Sequence, residues 1–281
     1  MKTLIWSCFV LVLITGQLHA DENLTDNNKI MLTLDSGQEV HIKGFIAPVE
    51  YTQDNFHVTW DTLANLRVAE PEKQYPETVF RAFLPNQTVS IGKLWQIKEE
   101  GVLTLLRQLH PNPHLDMHIN MGDSRGLWAC LRAYNDRFAD IVFRIHAEFK
   151  LKDGWFTPSQ FAGHLVIDRI GKKVAFFEMR VPEALINFDV NKQHEGAQSF
   201  GTDMGYCPQI ELGGGTQDIL QNAKFTEAIT LEEAERLLKL RFYKSQQINW
   251  VSIDEALKMS PAHQKPVHAI SINGPLDDES C

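Results

Sequence analysis

Residues 141–151, IVFRIHAEFKL, alternate strictly between two sets of side chains. Successive side chains of a β-strand point to opposite faces, so the run predicts one long strand. The first face would carry Ile141, Phe143, Ile145, Ala147, Phe149 and Leu151. The second face would carry Val142, Arg144, His146, Glu148 and Lys150. This pattern is typical of an antiparallel sheet with one face on the core and the other in water.

Shorter apolar runs predict further strands on both sides of this segment. These strands cover residues 30–34, 40–46, 79–84, 91–97, 127–134, 164–170, 173–181, 185–190 and 267–272. Leucines at helical spacing predict a helix over residues 99–110, and the capping boxes Thr230/Glu233 and Ser252/Glu255 predict two more. Gly213, Gly214 and Gly215 predict a loop or a domain boundary.

The first 20 residues have the pattern of a secretory signal peptide. Lys2 is followed by an apolar run too short to span a bilayer, and cleavage is expected after Ala20. An uncleaved anchor is the alternative. The 281-residue chain has a net charge of -9, which disfavours nucleic acid as a partner because phosphate backbones would be repelled.

The chain closes with a helix, the predicted strand 267–272 and then Cys281. A strand that is apolar on both faces needs neighbours and cover. Helix, strand and cysteine in this order are how a thioredoxin-like active site begins. We therefore expect an α+β protein, with a β-rich region over residues 21–215 followed by an incomplete thioredoxin-like domain over residues 216–281.

Several uncommon blocks of the chain, in order, resemble the selenoprotein N family. They include FRIHAEF at 143–149, WFTPSQF at 155–161, GY at 205–206 and GPLDDESC at 274–281. The resemblance extends over about residues 77–281. It implies that Cys281 is the catalytic cysteine and that selenocysteine occupies the next position, with no other cofactor. Selenocysteine is encoded by UGA, so a gene model truncated at that codon is expected; the alternative is a short protein that ends in cysteine.

The family also implies a location, a partner and a modification. Its members are glycosylated proteins of the endoplasmic reticulum lumen or membrane, and a bacterial member would be periplasmic or exported. The expected substrate is a protein thiol or disulfide, with a membrane calcium pump as the partner. Asn23 and Asn86 stand in glycosylation sequons. No EF-hand loop is present in the sequence, so calcium sensing is not carried over.

The acidic residues before Cys281 would affect its chemistry. Asp277, Asp278 and Glu279 place negative charge near the thiol, which raises a thiol pKa and hinders attack. A selenol is more acidic and would stay ionised there. We therefore expect this loop to be one reason for the use of selenium.

Other residues leave alternatives open. Cys130 and Cys207 could form a disulfide or be buried free thiols. Candidate metal ligands are His110, His114 and His118, for which a solvated loop is the competing interpretation, and His146, Glu148 and His164, which could instead make structural hydrogen bonds. The competing functions are therefore a thiol oxidoreductase, an exported non-catalytic binding module and a histidine-based metallohydrolase.

Overall fold

The computed structural model describes residues 29–35, 37–115, 126–193, 200–242, 248 and 250–269. The strands are β1 (Glu39–Ile46), β2 (Tyr51–Thr52), β3 (Glu72–Pro76), β4 (Leu94–Gln96), β5 (Pro113–His114), β6 (Leu127–Tyr134), β7 (Phe138–Ile145), β8 (Glu148–Leu151), β9 (Gly154–Pro158), β10 (Phe161–Asp168), β11 (Lys173–Arg180), β12 (Phe188–Gln193), β13 (Phe200–Tyr206), β14 (Ile210–Gly215) and β15 (Glu227–Ala228). The α-helices are α1 (Phe56–Thr59), α2 (Asp61–Ala64), α3 (Glu99–Leu109), α4 (Asp218–Asn222), α5 (Leu231–Phe242) and α6 (Ile253–His263).

The strands form two sheets in which all of the pairings are antiparallel. The larger sheet has the order β15-β6-β7-β10-β11-β14-β1-β3, with β4 paired to β6. The smaller sheet has the order β2-β13-β12-β9-β8-β5. Helices and strands together confirm the predicted α+β class and the mostly antiparallel sheet.

The long alternating run at 141–151 is divided between the two sheets. Its first part ends β7 in the larger sheet, and its last part is β8 in the smaller one. Only His146 and Ala147 lie between the two strands. The predicted apolar face is confirmed, because every one of its six residues is buried. The single predicted strand is wrong, since the backbone changes its pairing partners at His146.

Phenylalanine rings form a contiguous group within the main buried core. Phe177 on β11 has no exposed surface, and its ring centroid lies 5.1 Å from that of Phe80 and 5.7 Å from that of Phe83. Phe143 on β7 stacks on the same ring at 5.8 Å. Such buried aromatic pairs contribute about 0.5–1.5 kcal/mol each beyond the burial of their area.

The second face of the run 141–151 was predicted to be wet, and this prediction is wrong except at Lys150, which is exposed. Val142, Arg144, His146 and Glu148 are at most 8% exposed. Helix α5 packs over part of this face, where Ala234 and Leu238 join Val142 and Cys130 in a second buried cluster. The predicted cap of α5 is confirmed, because the amide of Glu233 donates to Thr230 Oγ1 at 3.1 Å.

The apolar residues at 79–84 form a 3₁₀ helix, Glu77–Phe83, instead of the predicted strand. Side chains three residues apart align in a 3₁₀ helix, so Phe80 and Phe83 reach the same part of the core. Short apolar runs do not distinguish these conformations by periodicity. Two other predicted strands are shorter than expected. Residues 30–34 contribute only a bridge from Ile30 to Val89, and residues 91–97 contribute only β4.

The glycines at 213–215 lie within β14, not in a loop. A Cβ at Gly214 would lie 2.2 Å from the carbonyl oxygen of His41 on β1, so the close approach of two strands requires glycine there. The chain after Gly215 remains with the same sheet, since β15 pairs with β6 and α5 packs on β6 and β7. The proposed boundary at 215 therefore falls inside continuous packing.

Helix α6 begins as predicted, because the amide of Glu255 donates to Ser252 Oγ at 3.2 Å. None of the residues of α6 is buried. Residues 267–269 have no strand pairing, and the rest of the predicted strand 267–272 lies outside the described residues. The thioredoxin-like domain therefore stays a prediction.

Asp168 closes the β10–β11 hairpin and gives a pH-dependent prediction. Its Oδ1 accepts from the amides of Gly171 at 2.9 Å and Ile170 at 3.1 Å. Burial alone would raise the pKa of Asp168, but the Gly171 amide, the guanidinium of Arg137 and the Ile170 amide outweigh it and lower the pKa. The carboxylate therefore stabilises the fold above the unfolded-state value near 4, and this contribution is lost as pH falls through the lower folded value.

We expect Asp168→Ala to lower the free energy of unfolding by about 1–3 kcal/mol at pH 7. The difference from the parent protein should shrink below about pH 4, where the carboxylate becomes protonated. Denaturant unfolding at several pH values measures both effects. Asp136→Ala, at an exposed position in the neighbouring β6–β7 turn, is the control. A difference that stayed constant down to pH 2 would contradict the assignment.

Candidate functional site

The predicted catalytic residue, Cys281, lies outside the described residues, as do the signal peptide, Asn23 and His118. Asn86 is described and lies exposed in the loop between the 3₁₀ helix and β4. Its side chain is therefore accessible for the predicted glycosylation. None of the helices within the described ranges combines the length and the apolar character that a bilayer crossing requires.

Cys130 lies on β6 beneath α5 and is a free, fully buried thiol. Burial raises its pKa to about 12, and the nearby carboxylates of Asp140 and Glu233 act in the same direction. The thiolate is the nucleophilic form of cysteine, so Cys130 is protonated and unreactive at neutral pH.

Cys207 is the second free thiol and lies in the main core after β13. Burial raises its pKa to about 11, although the amide of Gln209 and the charge of Arg67 partly oppose the shift. Its thiol donates to the carbonyl of Ala47 at 3.4 Å. Asn187 fixes its backbone, because Nδ2 donates to the Cys207 carbonyl at 2.8 Å and Oδ1 accepts from its amide at 2.9 Å. The disulfide between Cys130 and Cys207 is therefore not formed.

A buried charge cluster lies on the face of the larger sheet that α5 partly covers. Asp140 on β7 has no exposed side-chain surface and accepts from Nε of Arg132 on β6. Its other oxygen accepts from Nδ1 of His164 on β10 at 2.9 Å. A carboxylate can only accept, so His164 carries a proton on Nδ1. The cluster compensates a buried negative charge and fixes the orientation of the His164 ring.

Two of the family-like blocks meet where β7 leaves the larger sheet. Ile145 on β7 pairs with Phe161 at the start of β10, so FRIHAEF and WFTPSQF are neighbours in space. Arg144 Nε donates to Nε2 of the fully buried His146 at 3.4 Å. A Cβ at Gly126 would lie 2.7 Å from that of His146, so the backbone packs directly on the histidine. The guanidinium of Arg144 and the ring of His146 are therefore structural parts of the sheet junction.

The remaining histidines have separate environments. His110 ends α3 and its ring lies 5.6 Å from that of Phe149; burial lowers its pKa. His114 is exposed on β5. Across the described ranges, no group of three or more His, Cys, Asp or Glu side chains is arranged to hold a metal ion.

Sequence reasoning singled out His164 but missed its partners, Asp140 and Arg132. Asp140 has one signal in the sequence: it is an acidic residue within a predominantly apolar segment, directly before Ile141, Val142 and Phe143. Buried carboxylates are rare unless they are paired. The partners come from β6 and β10, so only the strand order could have identified them.

Three curated proteins named selenoprotein N are similar to this chain. The zebrafish protein (Danio rerio) is 32% identical over 236 residues, which cover 72% of this chain and 42% of that protein. The mouse protein (Mus musculus) is 27% identical over 270 residues, covering 76% of this chain and 48% of its own length. The human protein (Homo sapiens) is also 27% identical over 270 residues, covering 76% of this chain and 45% of its own length.

The chain thus spans less than half the length of these relatives. No family model and no solved structure matches it. The aligned region nevertheless covers about three quarters of the chain in each case, and all three relatives have the same name. The chain therefore belongs to the selenoprotein N family.

Proposed function

We propose that this chain is part of a thiol or selenol oxidoreductase that acts on protein thiols or disulfides, with Cys281 as one half of its redox pair. The similarity to three proteins named selenoprotein N is the observation that carries the proposal. The state of the other cysteines supports it. After removal of the predicted signal peptide, Cys130 and Cys207 are the other two cysteines, and burial raises the pKa of both. Cys281 is then the remaining candidate for exchange chemistry.

The proposed reaction is thiol–disulfide exchange with selenocysteine at the position after Cys281. The selenolate attacks a substrate disulfide, so a selenium–sulfur bond forms, the substrate S–S bond breaks and one substrate sulfur leaves as a thiolate. The Cys281 thiolate then attacks selenium and releases the second substrate thiolate. The substrate is reduced and the pair is oxidised; a low-molecular-weight thiol must reduce it again. The reverse assignment, with Cys281 as the attacking group, has the same balance.

The location and partner are proposed on the same family resemblance. We propose the endoplasmic reticulum lumen or membrane for a eukaryotic protein, with a membrane calcium pump as a thiol substrate. A bacterial protein would act in the periplasm or outside the cell. Exposed Asn86 would be a glycosylation site in the eukaryotic case, as would Asn23.

The coding sequence and a trapping experiment test the proposed redox pair. We expect a UGA codon after the Cys281 codon, followed by an open reading frame. In the protein expressed to the end of that frame, Cys281→Ser should stop turnover and accumulate a substrate adduct that a reductant releases. If Cys281 is the attacking group, the adduct should form instead when the adjacent selenocysteine is replaced by serine.

Cys130→Ser is the matched control, since it removes a thiol that burial keeps protonated. We expect it to leave the exchange rate unchanged in molecules that fold. A UAA or UAG codon after Cys281, or a Cys281→Ser protein that exchanges at the parent rate, would refute the proposal.

A further inference from the structure

The strand β4 has a free edge that faces an open groove. β4 pairs with β6 on one side and, across the described residues, has no strand on its other side. The groove is lined by β4 and by the loop that precedes it, including Leu84 and Val89. We propose that this groove binds an extended segment of a partner protein, with acidic flanking residues, which adds to the larger sheet as a strand beside β4.

The pairing with β6 fixes which main-chain groups of β4 point into the groove. In an antiparallel ladder, alternate residues of a strand direct their N–H and C=O groups to the same neighbour. The Lys93 carbonyl accepts from a β6 amide at 3.3 Å, and the Ile97 amide donates to a β6 carbonyl at 3.0 Å. Leu94 and Gln96, which alternate with these residues, therefore direct their main-chain groups away from β6.

These outward groups identify the kind of ligand. Leu94 and Gln96 each offer one N–H and one C=O, and none of the four groups makes a hydrogen bond to another described residue. Both residues line the groove. Donors and acceptors that alternate along one edge are complementary to the backbone of another strand, which is how sheet-edge domains bind peptides. Because only two residues are free, the edge suits a short segment and disfavours sheet-to-sheet aggregation.

Two hydrogen bonds hold β4 in place beside the groove. Trp95 Nε1 donates to the Phe83 carbonyl at 2.9 Å, and the Lys98 amide donates to the Ala82 carbonyl at 3.0 Å. Both bonds connect β4 to the 3₁₀ helix, and both leave the outward groups of the strand free. An edge that is already formed loses little conformational entropy when a ligand binds.

The lysines beside β4 favour an acidic residue in the segment. Lys93 and Lys98 flank the strand, line the groove and are exposed, and neither forms an ion pair with another described residue. Glu99 and Glu100 also line the groove at the start of α3, but Glu99 already has an interaction partner. The two lysines therefore outweigh the remaining carboxylate, and complementary charge on the segment speeds association and selects the partner.

Peptide titration tests the inference on the folded protein. The protein is produced in bacteria, so that Asn86, which also lines the groove, carries no glycan. The probe is the acetylated and amidated octapeptide DTVTVTVD, whose β-branched residues favour an extended backbone. We expect saturable binding of one peptide per chain. Amide hydrogen exchange at Leu94 and Gln96 should slow by about tenfold or more in the complex, because their N–H groups then donate to the peptide.

The same peptide with N-methyl groups on its central amides is the control ligand. It lacks the donors but keeps the side chains, so it should bind about tenfold more weakly or worse. Equal binding of the two peptides, or no binding of the unmodified one up to its solubility limit, would overturn the proposal. A protein dimer that the probe does not dissociate in sedimentation equilibrium would also overturn it, because a second copy would then occupy the edge.

Two substitutions at Gln96 separate its main chain from its side chain. Gln96→Pro removes the outward N–H but breaks no bond to β6, so the sheet should remain intact, and probe binding should weaken by about tenfold or more. Gln96→Ala keeps the main-chain donor and should bind within about twofold of the parent protein. Parent-like binding by a folded Gln96→Pro protein would overturn the proposal.

Lys93→Glu tests the charge preference without changing the backbone edge. The parent protein should bind DTVTVTVD more tightly than the basic peptide KTVTVTVK, and the substitution should lower that ratio by about threefold or more, because it reverses an exposed charge beside the groove. An unchanged ratio would contradict the proposed acidic character of the segment.

Discussion

The Phe177→Ala variant is expected to lose about 3–5 kcal/mol of unfolding free energy. The Phe177 ring has no exposed surface and is surrounded by Phe80, Phe83 and Phe143. Truncation removes the buried ring and leaves a cavity, because the neighbouring rings are fixed on β7 and the 3₁₀ helix and can only partly close it. A loss of this size is a large fraction of the 5–15 kcal/mol that is typical of folded domains.

Urea denaturation followed by circular dichroism measures the loss. Phe45→Ala is the control, because Phe45 lies on β1 of the same sheet but is 45% exposed; we expect it to cost less than about 1 kcal/mol. Phe177→Leu keeps most of the volume and should lie between the two. Equal losses for the Phe177 and Phe45 variants would be incompatible with a core centred on Phe177.

Replacement of Asp140 by leucine should cost about 3 kcal/mol, the lower end of the range for breaking a buried ion pair. The change leaves Arg132 and His164 without the carboxylate that both contact. Their side chains are 15% and 14% exposed, so water relieves only part of the lost interaction. The effect should exceed that of any ion pair on the protein surface, where a typical contribution is about 0–1 kcal/mol.

Two further variants isolate the cause. Glu178→Leu is the matched control on the same face, because Glu178 is 25% exposed and lies 3.9 Å from an Arg180 that is half exposed; we expect a loss below about 1 kcal/mol. Arg132→Met combined with Asp140→Leu should recover stability relative to Asp140→Leu alone, since the stranded cation is gone. Chemical denaturation at pH 7 compares all three. A double variant that is no more stable than Asp140→Leu alone would contradict the ion-pair explanation.

Features that depend on neighbours in sequence were predicted well. The hairpin around Gly171 is present as β10 and β11, helix α3 ends at Leu109, and both capping boxes form. Each rests on a local signal: a turn residue, a helical repeat or a side chain that caps nearby amides. These signals act within a few residues and need no knowledge of the rest of the fold.

Features that depend on distant contacts were not predictable in the same way. The polar face of β7 is buried because α5, nearly 90 residues later, packs on part of it. Asp140 and His164 meet because β7 and β10 are neighbours, although β8 and β9 separate them in sequence. Alternation shows that a strand has two faces, but only tertiary packing decides whether both are covered.

The continuous backbone from Phe138 to Leu151 connects the two sheets directly. The stretch contributes a strand to each, with only two residues between them, so neither layer can shift in register or peel away without pulling on the other. Two strands joined by so short a connection are expected to move together, whereas a longer loop would let each move separately. We therefore expect the two sheets to move as one body, with His146 buried in the connection between β7 and β8.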